Sequence, residues 1–180
     1  MINKNKKIIA ISLASLFILL IGLLIYRQPI QEQLIASRNR IAVADTIKSF
    51  YQGYIKAINT NQNWPELVDR YTQGRASELI SINAVRLMDD AIKGSQHRVD
   101  IASPIYLRFY ELGKDSAKTL VDFEVEQSII GNPRQRAAVQ KLLILEKVGN
   151  RWMIAEELDR SDRFNQWANQ QNFPSIQIIY

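Results

Sequence analysis

Few residues in this chain can move a proton or hold a metal. Its 180 residues include one histidine, His97, and no cysteine. Without cysteine there are no disulfides, no thiolate zinc sites and no thiol nucleophiles. One imidazole cannot furnish a histidine-based metal site. His97 follows Gly94, Ser95 and Gln96 at the entrance to a strand, where a solvated turn histidine is expected. The paired acids are Asp89-Asp90 and Glu156-Glu157. The first pair lies at a predicted helix C-terminus, where the dipole disfavours negative charge, and both pairs read as solvated surface. Tyr51 and Tyr54 fall on an apolar helical stripe and read as core tyrosines with satisfied hydroxyls. No phosphate-cradling glycine loop, HExxH or GxSxG occurs. Catalysis, a cofactor and a metal are therefore not expected.

The elements that position these residues begin with a membrane anchor. Ile8 to Tyr26 is a run of 19 residues without a charge, preceded by Lys4, Lys6 and Lys7. At 1.5 Å per helical residue, about 20 apolar residues cross a hydrocarbon core of roughly 30 Å. The run is longer than the usual apolar core of a signal peptide, and it ends in LLIYRQP without a small-x-small cleavage pattern. An uncleaved single span is expected. The positive-inside bias keeps residues 1–7 cytoplasmic and exports everything after residue 26. The chain is thus expected in a bacterial inner membrane, against inner-membrane lipid, with its domain periplasmic or extracellular.

Net charge of +5 and a pI near 9.5 resemble a nucleic-acid signature until the charges are placed. Three of the 23 basic residues are the cytoplasmic lysines, which leaves 20 basic against 18 acidic residues in the exported part. The signs are interspersed, and phosphate binding wants a basic face. Nucleic acid is not an expected partner.

Residues 27–40 read as a helical stalk and residues 41–180 as the exported domain. Ile47, Phe50, Tyr51, Tyr54, Ile55 and Ile58 make one apolar stripe, predicting a helix over 41–58. Pro65 opens a short helix through Tyr71. A third helix over 76–93 carries Leu79, Ile80, Ala84, Leu87, Met88 and Ala91, with Gly94 as its stop. The period then changes from 3.6 to 2. Val99, Ile101, Ile105, Leu107 and Phe109 share one parity, with Pro104 marking a bulge or edge. Val121, Phe123 and Val125 alternate with acids. Strands over 138–148 and 151–158 flank Gly149-Asn150, a two-residue hairpin turn. A polar helix over 161–170 carries Phe164 and Trp167.

The fold class is α+β: three helices packed on one face of a curved antiparallel sheet of about four strands, with a C-terminal helix. Leu142 to Leu145 are apolar on both parities, so that strand should be covered on both faces. The helices cover one. The C-terminal helix or another chain must cover the second.

This order of elements, ending in QKLLILEKVGNRWMIAEEL, resembles the nuclear-transport-factor-2-like fold. The likeness spans residues 41–158 and is closest in the last hairpin, with its glycine turn, Trp152 and Ile154. That superfamily includes ketosteroid isomerases and polyketide cyclases. The layout of tail, span and exported domain resembles inner-membrane assembly components of type IV secretion and conjugation machines. Membrane proteins of mycobacterial lipid-import complexes share it. The resemblance to the secretion and conjugation components implies an exported domain that self-associates, binds other envelope-complex subunits and catalyses nothing. The tail of residues 1–7 is shorter than in many such components, and no subunit-contact motif matches residue by residue.

Contact residues expected under that reading are Trp64, Phe164, Trp167, Phe173, Ile176, Ile178 and Tyr180. The terminal segment FPSIQIIY is apolar and β-prone, and such a segment left free is an aggregation liability. It either docks on its own sheet or adds a strand to a neighbour. Under the alternative, a tethered ligand-binding or isomerase-like domain, the resemblance places a pocket between helices and sheet. A carboxylate base and tyrosine donors would then come from Tyr51, Tyr54, His97, Asp100 and Tyr106.

Overall fold

The computed structural model describes residues 33–94, 97–129, 132–159 and 175–178. The expected span over 8–26, the helix over 161–170, and Phe164, Trp167, Phe173 and Tyr180 lie outside the described residues. Among the described residues, no helix is long and apolar enough to cross a membrane. The chain divides into two compact units, Met1–Arg38 and Asn39–Tyr180; the architecture below is that of the second.

Helix α1 covers residues 39 to 60 of this unit, longer at both ends than its apolar stripe required. Val43, Ile47, Phe50, Tyr51 and Ala57 are its buried face. It ends where Asn61 and Asn63 adopt positive φ, 52° and 66°, a region asparagine tolerates better than most residues. Helix α2, Trp64–Tyr71, starts with proline in its first turn. Helix α3, Gly74–Ile92, buries Ala76, Ile80 and Ala84.

The sheet contains six strands: β1 His97–Ile101, β2 Ile105–Leu112, β3 Ser116–Ile129, β4 Gln135–Val148, β5 Arg151–Asp159 and β6 Ser175–Ile178. Their order is β5-β4-β3-β2-β6, with β1 also paired to β3. All of these pairings are antiparallel. Four strands expected became six for two reasons. The run from Val99 to Phe109 breaks at Pro104, which has no N–H to give the ladder. Both halves still pair with β3. Across the break, Ala102 N–H donates to the Glu124 carbonyl at 2.8 Å, and Glu124 N–H donates to Ser103 Oγ at 2.8 Å. The second addition is β6, which pairs with β2 at Leu107↔Ile176 and Ile105↔Ile178. Ile176 and Ile178 therefore belong to a strand of the chain's own sheet.

Sheet parity sorts the side chains. Ile105, Leu107, Phe109, Val121, Phe123, Leu143, Leu145 and Ile154 join the core beneath the helices. Each buried side chain of this size contributes about 1.5–3 kcal/mol. On the opposite face, Leu120 and Met153 are also buried, and Leu142 and Ile144 are half-buried. The double apolar parity of β4 thus corresponds to two apolar faces, and the helix expected over the second lies outside the described residues.

Candidate functional site

Between helices and sheet, aromatic rings pack against one another. Phe50 and Tyr51 meet edge-on with centroids 5.1 Å apart, and Tyr51 meets Phe123 at 4.9 Å. Phe50 reaches Tyr54 at 5.7 Å, and Tyr54 stands edge-on to Trp64 at 5.5 Å. The chain of contacts follows from α1's periodicity: positions 50, 51 and 54 share its inward face, and Trp64 returns on α2 to close against them. Trp64 is 3 % exposed. Of the two roles its place before Pro65 allows, contact residue or staple, this burial fits the staple.

Two donors in this cluster meet no acceptor among the described residues, the Tyr51 hydroxyl and Trp64 Nε1. Burial pushes the Tyr51 hydroxyl well above the ordinary tyrosine value of 10.0, with the Glu157 carboxylate adding to the rise. Tyr54 is raised by the same causes, while Lys141 and Arg86 pull it back. Glu157 lies opposite the core residue Leu143 in the ladder and pairs with Lys141 Nζ at 3.0 Å. Both tyrosines keep their protons at neutral pH, so each hydroxyl can donate one hydrogen bond as well as accept. The acid near them, Glu157, is held by a lysine.

The remaining pocket candidates are dispersed. His97 Nε2 lies 3.6 Å from Asp90 Oδ2, joining the start of β1 to the end of α3. It lines a surface cleft of about 490 Å³ of mixed polar and apolar lining, with Val99, Gln127, Ser128, Ile129 and Gln135. Asp100 alternates with Val99 and Ile101, which pack on the core, so it faces away from the tyrosines and pairs with Arg98 Nε at 3.4 Å. Tyr106 alternates with the fully buried Ile105 and Leu107, pairs in register with Asp122 and is 42 % exposed. The structure brings Tyr51 and Tyr54 together and sets Asp100 and Tyr106 on the other side of the sheet. Glu157, Lys141 and Arg86, none of them expected near the tyrosines, are the charges that act there.

A surface feature missed in the sequence lies on α3. Ile82, Val85 and Ile92 are 66 %, 68 % and 84 % exposed, with Leu79 and Met88 partly exposed at the margins. The expected stripe gathered Leu79, Ile80, Ala84, Leu87, Met88 and Ala91, and left Ile82, Val85 and Ile92 unassigned. The signal was present: those three residues are out of phase with Ile80, Ala84 and Leu87, so one helix carries two apolar faces.

No family model matches the chain, and no curated protein is significantly similar to it. Among solved structures, it is similar to the intermembrane space region of the chloroplast protein ARC6, at a TM-score of 0.54 and 11 % identity. That match covers 67 % of this chain and 94 % of the other. A hexachlorocyclohexane dehydrochlorinase, LinA type 2, matches at a TM-score of 0.46 and 14 % identity, over 67 % of this chain and 86 % of that one. Identities this low show the fold alone. The domain has the nuclear-transport-factor-2-like fold.

Proposed function

We propose that the chain is a non-catalytic, membrane-anchored assembly or scaffold subunit of a bacterial envelope complex, of the type IV secretion or conjugation kind. The observation that supports this reading is the aromatic cluster of Phe50, Tyr51, Tyr54, Trp64 and Phe123, whose rings pack against one another between helices and sheet. A binding pocket of this fold would want several hundred Å³ with a few convergent polar groups, and the acid–base candidates point to different faces. What remains on offer to a partner is surface. The anchor holds the domain at the inner membrane, and the domain acts through protein–protein contacts, with other subunits and with copies of itself.

The test is cross-linking in intact membranes, followed by identification of the proteins that co-purify. Defined envelope subunits in stable ratio are expected. A protein that emerges alone and monomeric overturns the assembly role.

One observation favours the second reading, a tethered ligand-binding or isomerase-like domain. The buried donors of Tyr51 and Trp64, which meet no acceptor among the described residues, are costly unless something accepts from them. A carbonyl-bearing apolar ligand would do so. Saturable quenching of tryptophan fluorescence by such a ligand, abolished in Tyr51→Phe, would select this reading over the first.

A further inference from the structure

We infer that the end of the domain where the chain enters at Asn39 is a lipid-facing surface that takes anionic phospholipid headgroups; this rests on the membrane-anchored reading and names a further partner of it. Three stretches far apart in sequence meet there. Asn39 is buried, and its side-chain amide donates to the Gly113 and Lys114 carbonyls at 3.0 and 3.3 Å. The Lys147 N–H donates to the Asp115 carbonyl at 2.9 Å. These bonds gather the start of α1, the β2–β3 turn and the β4–β5 hairpin, where Val148 pairs with Arg151 around Gly149-Asn150.

The gathering concentrates one sign of charge. From Asn39 to Tyr180 the chain carries 18 basic and 17 acidic residues. The meeting stretches, residues 39–41, 113–116 and 147–151, carry Arg40, Lys114, Lys147 and Arg151 against Asp115 alone. Adding Glu111, Lys118 and Glu146 of the adjoining strands leaves five cations against three acids. Two of those acids are engaged, Glu111 by Lys118 at 2.9 Å and Glu146 by Gln73 Nε2 at 2.9 Å. Arg40, Lys114 and Arg151 are exposed. The Arg40 guanidinium stands over the Phe109 ring at 5.7 Å and the Lys147 ammonium over Trp152 at 5.9 Å, contacts that place the cations without cancelling their charge. Ile41 and Val148, 60 % and 45 % exposed, stand among them. Cations interleaved with a few apolar side chains suit the boundary between headgroups and acyl chains.

Tether length and charge choose the occupant. Residues 27–38 separate the expected span from Asn39, a reach of roughly 40 Å even when fully extended. The one surface that this end can never leave is therefore the bilayer. An anionic leaflet attracts cations that come within a Debye length, about 8 Å at physiological salt, with about a fivefold preference for each lysine or arginine. Tethering already supplies a high local concentration, so four weak contacts suffice to hold an orientation. An acidic protein would match the same charges, but nothing on the chain keeps one at hand. In the lipid-bound orientation the opposite ends of β3 and β4, with the cleft beside His97, point away from the bilayer, where other subunits can reach them.

The natural absence of cysteine allows a sharp test on the full chain in lipid vesicles. Asn150→Cys, at the tip of the β4–β5 hairpin, and Gln135→Cys, at the other end of β4, each receive a donor dye, and the vesicles carry an acceptor dye on a headgroup. In phosphatidylcholine vesicles containing phosphatidylglycerol, energy transfer from position 150 is expected to exceed that from position 135 at least twofold. Pure phosphatidylcholine, molar salt, or the further change Lys114→Glu/Arg151→Glu should each abolish that excess, the variant keeping its circular dichroism spectrum and Tm. Should the charge-reversed variant fail to fold, the lipid and salt comparisons on the unreversed chain decide. Transfer indifferent to lipid charge and salt, in a chain that resists carbonate extraction, overturns the inference and leaves the anchor standing. A chain extracted by carbonate that still binds phosphatidylglycerol vesicles through Lys114 and Arg151 does the reverse. A subunit cross-linked in intact membranes and lost in Lys114→Glu/Arg151→Glu, with lipid transfer unchanged, would assign this end to an acidic protein and overturn the lipid contact.

Discussion

Tyr51 brings a hydroxyl into the middle of the core and finds no acceptor for it among the described residues. Replacing both members of a buried hydrogen bond can be neutral, whereas leaving one unsatisfied costs about 1–3 kcal/mol. Tyr51→Phe is therefore expected to leave stability unchanged or raise it by about 1 kcal/mol in urea titrations. A loss above that size would mean the hydroxyl has a partner. The same residue sets an alkaline limit. Its folded pKa lies above the ordinary 10.0, so the unfolded chain gives up the phenolic proton first. Its contribution is intact below pH 10 and declines as pH rises from there towards the folded value. Tyr51→Phe should flatten that alkaline decline in thermal melts. Asn59 works differently: its side-chain amide donates to the Val99 carbonyl and accepts from the Val99 N–H, each at 2.7 Å. It behaves as a one-residue strand along β1. Asn59→Ala should cost about 1 kcal/mol and speed hydrogen exchange at the Val99 amide, read by NMR.

At the scale of elements, α1 and α2 meet where Gly53 leaves room. A Cβ at position 53 would stand 2.7 Å from Leu67 Cδ1, and Leu67 is itself buried. Alanine favours a helix interior over glycine by roughly 0.5–1 kcal/mol, but overpacking costs about 1–3 kcal/mol. Gly53→Ala is expected to destabilise by about 1 kcal/mol in urea unfolding; a gain would show that α2 shifts freely. The stripes of α1 and the parities of β3 to β5 were legible in the sequence because one buried face enforces a strict period. Val121, Phe123 and Val125 could face only one way. Less legible were features that depend on tertiary partners. Asn59 read as the start of a helix-breaking polar run, since nothing local foretells that Val99, forty residues on, will be its mate. Glu157 read as surface because an acid beside tyrosines depends on the register of β5 against β4. The outer stripe of α3 was hidden by a different cause: Ile80 and Ala84, on the opposite side of the helix, already supply a core face.

For the whole molecule, the tether makes the first claim to test. Full-length protein is expected to stay in the pellet after alkaline carbonate washing of membranes, and a form lacking residues 1–26 should be released. A mature protein beginning after Tyr26 would instead mark a cleaved leader. The order of the sheet carries a consequence in time. Strand β6 pairs at the edge farthest from β5, although it follows β5 by only 15 residues. Ribosomes add about 5–20 residues per second, so β2 waits roughly one to three seconds with its backbone unclaimed after the rest of the sheet could close. Crowded nascent chains are most vulnerable to one another in that interval. A short synthetic SIQI-containing peptide supplied during refolding should compete for the vacant berth, and late-arriving β6 makes the domain a natural candidate for splitting into two fragments that find each other again.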